Sequence, residues 1–286
     1  MPAPPLRQLR ANGVELAFVD EGAGEPVVFV HGACGDWRTF DVLRPLAARR
    51  ARYVAYSRRY HQPNPWPGDG SDYSYQLHAA DLIAFIEALG AGPVHLVGHS
   101  YGAGVVLLAV LDRPELVRRA VVNEAGSLFP KLIEGRPGAA AVLAERASAW
   151  GEMRVAADRG DPERAAELLF DWISGERGAL RRSAAERRRR WLENARTMRP
   201  MLAQPPPPAI SCAALGAVRV PILVLRGERT IPFYAATNEA LRACLAPGAP
   251  EAAVPAAGHL SFEQSPGEYA AVVSAFLAAA PPPARI

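Results

Sequence analysis

Residues Val94–Gly102 read VHLVGHSYG, an apolar run that leads directly into the pattern glycine, any residue, serine, any residue, glycine. The apolar run predicts a buried strand, and the apolar residues after Ser100 predict a helix that ends near Pro114. A sharp turn from strand to helix needs glycine on both sides of the serine, because larger side chains would collide with neighbouring backbone. The stretch therefore predicts an exposed Ser100 hydroxyl at a helix N-terminus, whose free N–H groups favour negative charge. An ordinary N-cap serine between turn glycines is the alternative that the stretch alone leaves open.

Apolar runs and helical patterns alternate along the chain on both sides of this turn. Such alternation is typical of a parallel sheet wrapped by helices. The sequence therefore predicts an α/β fold with a mostly parallel central sheet and flanking helices. The other predicted strands are Val27–Val30, Tyr53–Tyr56, Ala120–Asn123, Pro221–Leu225 and Glu251–Pro255, and the predicted helices include Ala79–Leu89 and Tyr269–Leu277.

The character of the chain changes between the strands that end near Asn123 and begin near Pro221. From about Ser127 to Pro208 the sequence is helical in pattern and rich in Ala, Arg and Glu, and it closes with a run of prolines that cannot continue a helix. We expect a helical cap, or lid, over residues 127–208. The catalytic core is then built from residues 1–126 and 209–286.

Charge and hydropathy exclude several classes of function. The 286-residue chain has a formal net charge of only +3, and its arginines are interspersed with acids, which gives no case for a nucleic-acid partner. The first ten residues lack the apolar core of a signal peptide, and nowhere do about 18 apolar residues follow one another as in a membrane span. We expect a soluble, non-exported protein, monomeric or homodimeric, that acts on a small molecule and has no membrane partner.

The cysteines bear on the redox compartment. Cys34, Cys212 and Cys244 lie far apart and show no C-x-x-C pairing, so we expect reduced thiols in a cytoplasmic protein. No His/Cys cluster has the spacing of metal ligands. The expectation is that the protein needs neither a metal nor an organic cofactor.

With its G-x-S-x-G turn between strand and helix, the chain resembles the α/β-hydrolase superfamily over essentially its whole length. The segment His31-Gly32-Ala33 is similar to the oxyanion loop of that family, and Gly258-His259 stands where the family places its catalytic histidine. The resemblance implies Ser100 as nucleophile and His259 as its base, with the backbone N–H groups of Ala33 and Tyr101 as the oxyanion hole. The same resemblance suggests substrate-pocket residues near these motifs: His31, Cys34, Trp37, Tyr60 and His99.

The acid of the expected triad departs from the family pattern. Many relatives carry Gly-x-x-Asp after the strand that here is Pro221–Leu225, whereas this chain has Thr230 at the aspartate position. Threonine cannot carry the negative charge that stabilises an imidazolium. Some members place the acid one strand earlier, where this chain offers Glu124. Glu124 is therefore the predicted acid, and Glu228 is the alternative.

The loop after Tyr53–Tyr56 departs from the family pattern as well. Many members have a segment like D-x-R-G-H-G, and in Ser57–Asn64 only Arg59 and His61 match it by position, while Tyr60 replaces a glycine. This loop either shapes the mouth of the pocket or braces the edge of the sheet.

The nucleophile narrows the reaction. Dehalogenases and epoxide hydrolases of this superfamily attack with aspartate, because the resulting ester can be hydrolysed, whereas an ether to Ser100 could not. Serine with a histidine base suits acyl transfer to water from an ester, thioester or lactone. The alternatives are a C–C hydrolase or lyase, a tailoring enzyme of secondary metabolism with the same triad, and a non-enzymatic small-molecule receptor. The cluster Arg187–Arg190 is either a solvated helix surface or a guide for an anionic substrate.

Overall fold

The computed structural model of the chain describes residues 4–126 and 130–279. At its centre lies an eight-stranded sheet. In chain order its strands are β1 (Arg7–Ala11), β2 (Val14–Glu21), β3 (Pro26–Val30), β4 (Arg52–Tyr56), β5 (Val94–His99), β6 (Val117–Asn123), β7 (Ile222–Gly227) and β8 (Glu251–Val254). In space the order is β1-β2-β4-β3-β5-β6-β7-β8.

Strands β3 to β8 pair in parallel, which confirms the predicted mostly parallel sheet. The central strand β5 lies between β3 and β6, and its Val97 is opposite Phe29 on one side and Val121 on the other. Carboxyl ends of parallel strands meet at one edge of a sheet, which is where ligands bind in such folds. The loops after β3, β5, β6, β7 and β8 therefore converge.

The first two strands in the spatial order of the sheet, β1 and β2, were not predicted. Strands β1 and β2 form an antiparallel hairpin, and β2 also pairs antiparallel with β4. The hairpin turns at Asn12 and Gly13, both of which have positive φ, at 45° and 79°. Asn-Gly is the residue pair that a two-residue hairpin turn favours. That dipeptide between two short runs is the signal that would have predicted this hairpin.

Helices cover both faces of the sheet and continue into a long segment between β6 and β7. The helix before β5 begins at Tyr75 rather than at Ala79. The Ser74 side chain caps it by accepting a hydrogen bond from the N–H of Leu77 at 3.1 Å. The helices are α1 (Arg44–Ala47), α2 (Tyr75–Leu89), α3 (Tyr101–Asp112), α4 (Pro130–Ile133), α5 (Ala139–Asp158), α6 (Pro162–Ser174), α7 (Ala179–Arg182), α8 (Ala185–Glu193), α9 (Met198–Ala203), α10 (Cys212–Gly216), α11 (Pro232–Cys244), α12 (Ser261–Gln264) and α13 (Pro266–Leu277).

Helices α4 to α9 make up the stretch in which a cap was predicted. Its predicted start, residue 127, lies outside the described residues, and its proline run, residues 205–208, is neither helix nor strand. Helix α6 is amphipathic and buries Ala165, Leu169 and Ile173 at helical spacing. We call residues 130–203 the helical segment; its separation from the core as a cap remains a prediction.

A disulfide corrects the prediction that all three cysteines are reduced. Cys212 begins α10 and Cys244 ends α11, and the packing of these two helices brings their Cα atoms to 4.6 Å and joins the side chains as a disulfide. Distance in sequence was therefore no argument against pairing. Cys34 is a free, buried thiol. The expected cytoplasmic location, which depended on three reduced thiols, loses this support.

Charged side chains interrupt α5, a helix of 20 residues that has the length of a membrane span. Glu145, Arg146, Glu152 and Arg154 all lie within it. Within residues 4–126 and 130–279, no helix is both long and apolar enough to cross a bilayer.

Candidate active site

Ser100 occupies the strained turn that the sequence predicted. Strand β5 ends at His99 and α3 begins at Tyr101, and Ser100 between them has φ 54° and ψ −119°. A Cβ atom at Gly102 would lie 2.2 Å from the Val30 carbonyl oxygen, closer than any real contact. Only glycine fits there, so α3 can approach β3 and hold the serine at the carboxyl edge of the sheet.

The loop after β3 packs directly against this turn. A Cβ atom at Gly32 would lie 3.0 Å from the Cβ of Ser100, so the two backbones are nearly in contact. Ala33 and Tyr101 border the same cavity as Ser100. The N–H of Tyr101 has no acceptor within its own helix, because it belongs to the first turn. Within the described chain, the N–H of Ala33 also donates to no protein acceptor. Both groups are thus available as donors beside Ser100.

A buried carboxylate and a buried imidazole meet next to the serine. The Nδ1 of His259 donates a hydrogen bond to the Oε2 of Glu124 at 2.5 Å, and both side chains are almost fully buried. Glu124 accepts two further hydrogen bonds, from the N–H of Gly227 at 2.7 Å and from the hydroxyl of Thr230 at 2.8 Å. Three donors hold the carboxylate in one orientation, and the carboxylate fixes the imidazole in turn.

Neighbouring strands place these two side chains. Glu124 directly follows β6 and has a positive φ of 58°, and its N–H donates to the carbonyl of Leu225 on β7 at 3.2 Å. His259 follows β8, and its carbonyl accepts a hydrogen bond from the Nε2 of His99 at 2.9 Å. Burial holds the pKa of His99 well below its usual range, so His99 stays neutral and ties the histidine loop to the serine turn.

Glu228, the alternative acid, lies elsewhere. Its side chain is exposed and accepts a hydrogen bond from the N–H of Ala256 at 2.8 Å. Within the described chain, its carboxylate makes no contact with His259. Of the two acids that the sequence offered, only Glu124 is brought to the histidine.

Sequence reasoning missed Tyr234, at the start of α11. Its ring stacks on the His259 ring, with centroids 4.1 Å apart and an angle of 21° between the planes. Tyr234 lines the same cavity as Ser100, and burial raises the pKa of its phenol, which therefore stays protonated. No sequence motif marks this tyrosine; the contact depends on how α11 packs behind the histidine loop.

Above the serine lies a narrow cavity. Its floor carries the polar groups described above, and its roof is apolar and aromatic and comes from the helical segment. Among the described residues, no Asp, Glu, Lys or Arg side chain lines this cavity. The roof residues are Trp150 of α5, Leu169 and Ile173 of α6, Trp191 of α8 and Met201 of α9.

Of the five predicted pocket residues, His99 borders this cavity. The polar contacts of the other four are with neighbouring segments. The Nε2 of His31 accepts a hydrogen bond from the backbone N–H of Arg58 at 2.9 Å, and the Cys34 thiol contacts the Met198 sulfur at 3.4 Å. The backbone N–H of Trp37 donates to the Ser57 hydroxyl at 3.1 Å, and the Tyr60 hydroxyl donates to Asp72. The roof of the cavity comes from the helical segment.

The loop Ser57–Asn64 braces the site from behind. The guanidinium of Arg58 is fully buried and donates to the carbonyls of His31 at 3.1 Å and Gly32 at 3.0 Å. Arg59 binds both carboxylate oxygens of Asp81, at 2.8 and 2.6 Å. Both arginines anchor backbone, so the bracing interpretation accounts for this loop.

The predicted arginine cluster is partly neutralised. Arg187 and Arg190 both bind the carboxylate of Glu263, and the latter contact is 2.5 Å long. Arg188 and Arg189 face solvent on the other side of α8. A metal centre is not formed: residues 4–126 and 130–279 contain no group of three or more His, Cys, Asp or Glu placed to hold an ion.

Solved structures similar to this chain share its fold. The carboxylesterase CesB from Bacillus subtilis has a TM-score of 0.76 at 19% identity, and the match covers 97% of this chain and 92% of the esterase. A metagenomic epoxide hydrolase has a TM-score of 0.77 at 21% identity, over 98% of this chain and all of that one. At such identities the likeness concerns the fold alone.

Curated relatives match part of the sequence. The 2-hydroxy-6-oxo-2,4-heptadienoate hydrolase of Pseudomonas putida is 32% identical over 45% of this chain and 48% of its own length. The 2-hydroxymuconate semialdehyde hydrolase of a Pseudomonas species is 29% identical over 43% and 45%. The chain thus spans about half the length of the curated relatives that it matches. The model of the alpha/beta hydrolase family matches residues 27–272, and the chain therefore belongs to that family.

Proposed function

We propose that the protein is a serine-dependent hydrolase that cleaves an ester-type bond (ester, thioester or lactone) of a small molecule through an acyl-enzyme. The observation that carries the proposal is the buried pair of Glu124 and His259 on the same cavity as the strained Ser100. A hydrogen-bonded carboxylate and imidazole beside an exposed hydroxyl is the arrangement that activates serine as a nucleophile.

In the proposed mechanism, His259 removes the proton of the Ser100 hydroxyl as its oxygen attacks the substrate carbonyl. Glu124 holds the imidazole with Nδ1 protonated and stabilises the imidazolium that forms. The N–H groups of Ala33 and Tyr101 receive the oxyanion, each such donor contributing about 3 kcal/mol to transition-state stabilisation. Protonation of the leaving group by His259, followed by attack of water on the acyl-enzyme, completes the cycle.

The environment of the site supports a substrate with an apolar part next to the scissile bond. The roof of the cavity offers aromatic and aliphatic side chains and no charge. Apolar groups therefore gain from burial there, at roughly 25 cal/mol per Å². A serine at the turn, where an epoxide hydrolase would need aspartate, argues against carrying over the activity of the epoxide hydrolase with the same fold.

The experiment that tests this proposal is intact-mass measurement after incubation with a fluorophosphonate, on the wild type and on Ser100→Ala. We expect a single adduct on the wild type and none on the variant. The absence of an adduct on the folded wild type would contradict an activated serine, and would favour a non-enzymatic small-molecule receptor with the same fold.

A C–C hydrolase is the second candidate, because two curated relatives are named as hydrolases of an oxo-dienoate and of a muconate semialdehyde. Such substrates contain no ester, so their hydrolysis has to break a C–C bond next to a carbonyl. The same serine, histidine and oxyanion donors would serve. Incubation with 2-hydroxy-6-oxo-2,4-heptadienoate and with p-nitrophenyl esters separates the two: loss of dienoate absorbance with little ester turnover would favour the C–C reaction.

A further inference from the structure

A second cavity adjoins the one above Ser100. It opens to solvent, and Tyr101, Trp150 and Met201 border both cavities. It lies between α5, α9, the start of α2 and the proline run after α9. Its other lining residues are Tyr75, Arg146, Arg154, Leu202, Gln204 and Pro205 to Pro207.

Arg146 lies on the wall of this second cavity without a counter-charge. Within residues 4–126 and 130–279 it makes no ion pair and no hydrogen bond, and its Nε is buried. Its guanidinium lies over the rings of Trp150, at 4.3 Å from the centroid, and Phe233, at 5.4 Å. Burial lowers the pKa of Arg146, but an arginine stays charged at neutral pH. A half-buried cation without an anion is costly unless something supplies the anion.

The rest of the second cavity has the same sign of charge. Arg154 lines it two helical turns further along α5, on the stripe that Arg146 and Trp150 begin, and in the part of the chain that the structure describes no Asp or Glu lines it. Arg154 is exposed and also borders a surface groove together with Asp158 and Arg199. The rings of Trp150 and Phe233 attract the guanidinium of Arg146 through their π faces, and neither ring supplies a counter-charge.

We propose that this second cavity is an anion subsite, in which Arg146, assisted by Arg154, binds a carboxylate carried by the substrate at the end away from the scissile carbonyl. The planar fork of an arginine matches the two oxygens of a carboxylate. A substrate bound to Arg146 through its carboxylate would reach Ser100 by passing along Tyr101, Trp150 and Met201, the side chains that border both cavities. This inference rests on the proposed function, which it extends to the substrate class.

Two esters of matched chain length test the subsite: mono-p-nitrophenyl adipate, which ends in a carboxylate, and p-nitrophenyl hexanoate, which does not. We expect Arg146→Met to lower kcat/KM for the adipate ester about 10- to 100-fold and to change that for hexanoate less than about threefold. Arg146→Lys should recover part of the loss. Arg159→Met, at the exposed end of the same helix, is the matched control and should leave kcat/KM unchanged for both esters.

Binding is measured separately, so that the subsite is tested even if the ester is not cleaved. Titration of mono-p-nitrophenyl adipate into Ser100→Ala and into Ser100→Ala/Arg146→Met should give a Kd at least about tenfold weaker for the double variant. Equal affinities, or an equal loss of kcat/KM for both esters, would overturn the anion subsite. Failure of the wild type to cleave either ester, with the difference in Kd intact, would instead contradict the proposed function and leave the subsite supported.

Discussion

The hydroxyl of Thr230 donates a hydrogen bond of 2.8 Å to the Oε2 of Glu124, the same oxygen that binds His259. Thr230 stands where many members of the family have aspartate. In this chain the carboxylate comes from the end of β6 instead of the end of β7, and the position after β7 holds a donor to that carboxylate. The loop after β6 thus supplies the carboxylate that relatives have after β7, and the imidazole still has an acid beside its Nδ1.

Replacement of Glu124 by glutamine tests the assignment of the acid. Glutamine fills the same volume but carries no charge, so it can neither stabilise the imidazolium nor enforce the tautomer, and we expect kcat to fall about 10³- to 10⁴-fold. Glu228→Gln is the matched control: the exposed carboxylate of Glu228 accepts a hydrogen bond from the N–H of Ala256, and kcat should stay within about twofold. Steady-state kinetics on a p-nitrophenyl ester checks both, and the reverse ranking would place the acid after β7.

Moving the acid back to β7 tests this change of position directly. Glu124→Ala alone should lose about as much activity as Glu124→Gln. In Glu124→Ala/Thr230→Asp, a carboxylate returns to the position that the family uses, and we expect it to recover at least about tenfold in kcat. The single variant Thr230→Asp is the control and should be impaired, because two carboxylates would then crowd one imidazole.

A double variant no more active than Glu124→Ala would contradict this change of position. Circular dichroism distinguishes that outcome from misfolding, since Glu124 and Thr230 are both packed at the edge of the sheet.

The parts of the site that follow strands could be predicted from the sequence. Ser100, Glu124 and His259 each come directly after a buried apolar run or its loop, and parallel strands carry such residues to one edge. The turn around Ser100 is recognisable in the sequence by its glycines, because neighbouring backbone lies too close for a side chain at those positions. The loop His31–Ala33 follows the same rule, since it comes directly after β3.

The cavity lining could not be predicted in the same way. Trp150, Leu169 and Trp191 come from three helices whose apolar stripes look alike in sequence whether they pack inward or face a ligand. Tyr234 stacks on His259 and borders the cavity only because α11 packs beneath the helical segment. Such contacts depend on tertiary packing, which leaves no local pattern.

The disulfide can be checked by counting thiols. Alkylation of the denatured protein without reductant should modify one cysteine, Cys34, and alkylation after reduction should modify all three. Because the bridge joins residues 32 apart, its removal in Cys212→Ser/Cys244→Ser should lower the free energy of unfolding by about 3 kcal/mol through the loop that it closes. Intact mass reads the first expectation and urea denaturation the second. Three reactive thiols without reductant would restore the reduced state expected from the sequence.

Acid should destabilise the fold through histidines that are buried and uncharged. His78 is fully buried, and neither of its ring nitrogens has a hydrogen-bond partner in the described chain. Burial, reinforced by the charge of Arg58, holds the pKa of His78 well below its usual range. Below pH about 6.5 the unfolded chain therefore takes up a proton that the native state does not. The free energy of unfolding consequently decreases as the pH is lowered. The pKa values of His31, His61 and His99 are lowered in the same direction.

His78→Phe isolates one of these protons. Phenylalanine keeps the ring packed against Tyr73 and Tyr101 and removes two unpaired polar atoms, so we expect no loss of stability at pH 7.5. Between pH 7.5 and pH 5 the wild type should lose about 2 kcal/mol more than the variant, because one histidine contributes at most about 1.4 kcal/mol per pH unit below pH 6.5. Urea denaturation at the two pH values measures the difference. Equal losses in both proteins would mean that His78 takes up its proton in the native state, through water or a rearrangement that reaches the buried ring.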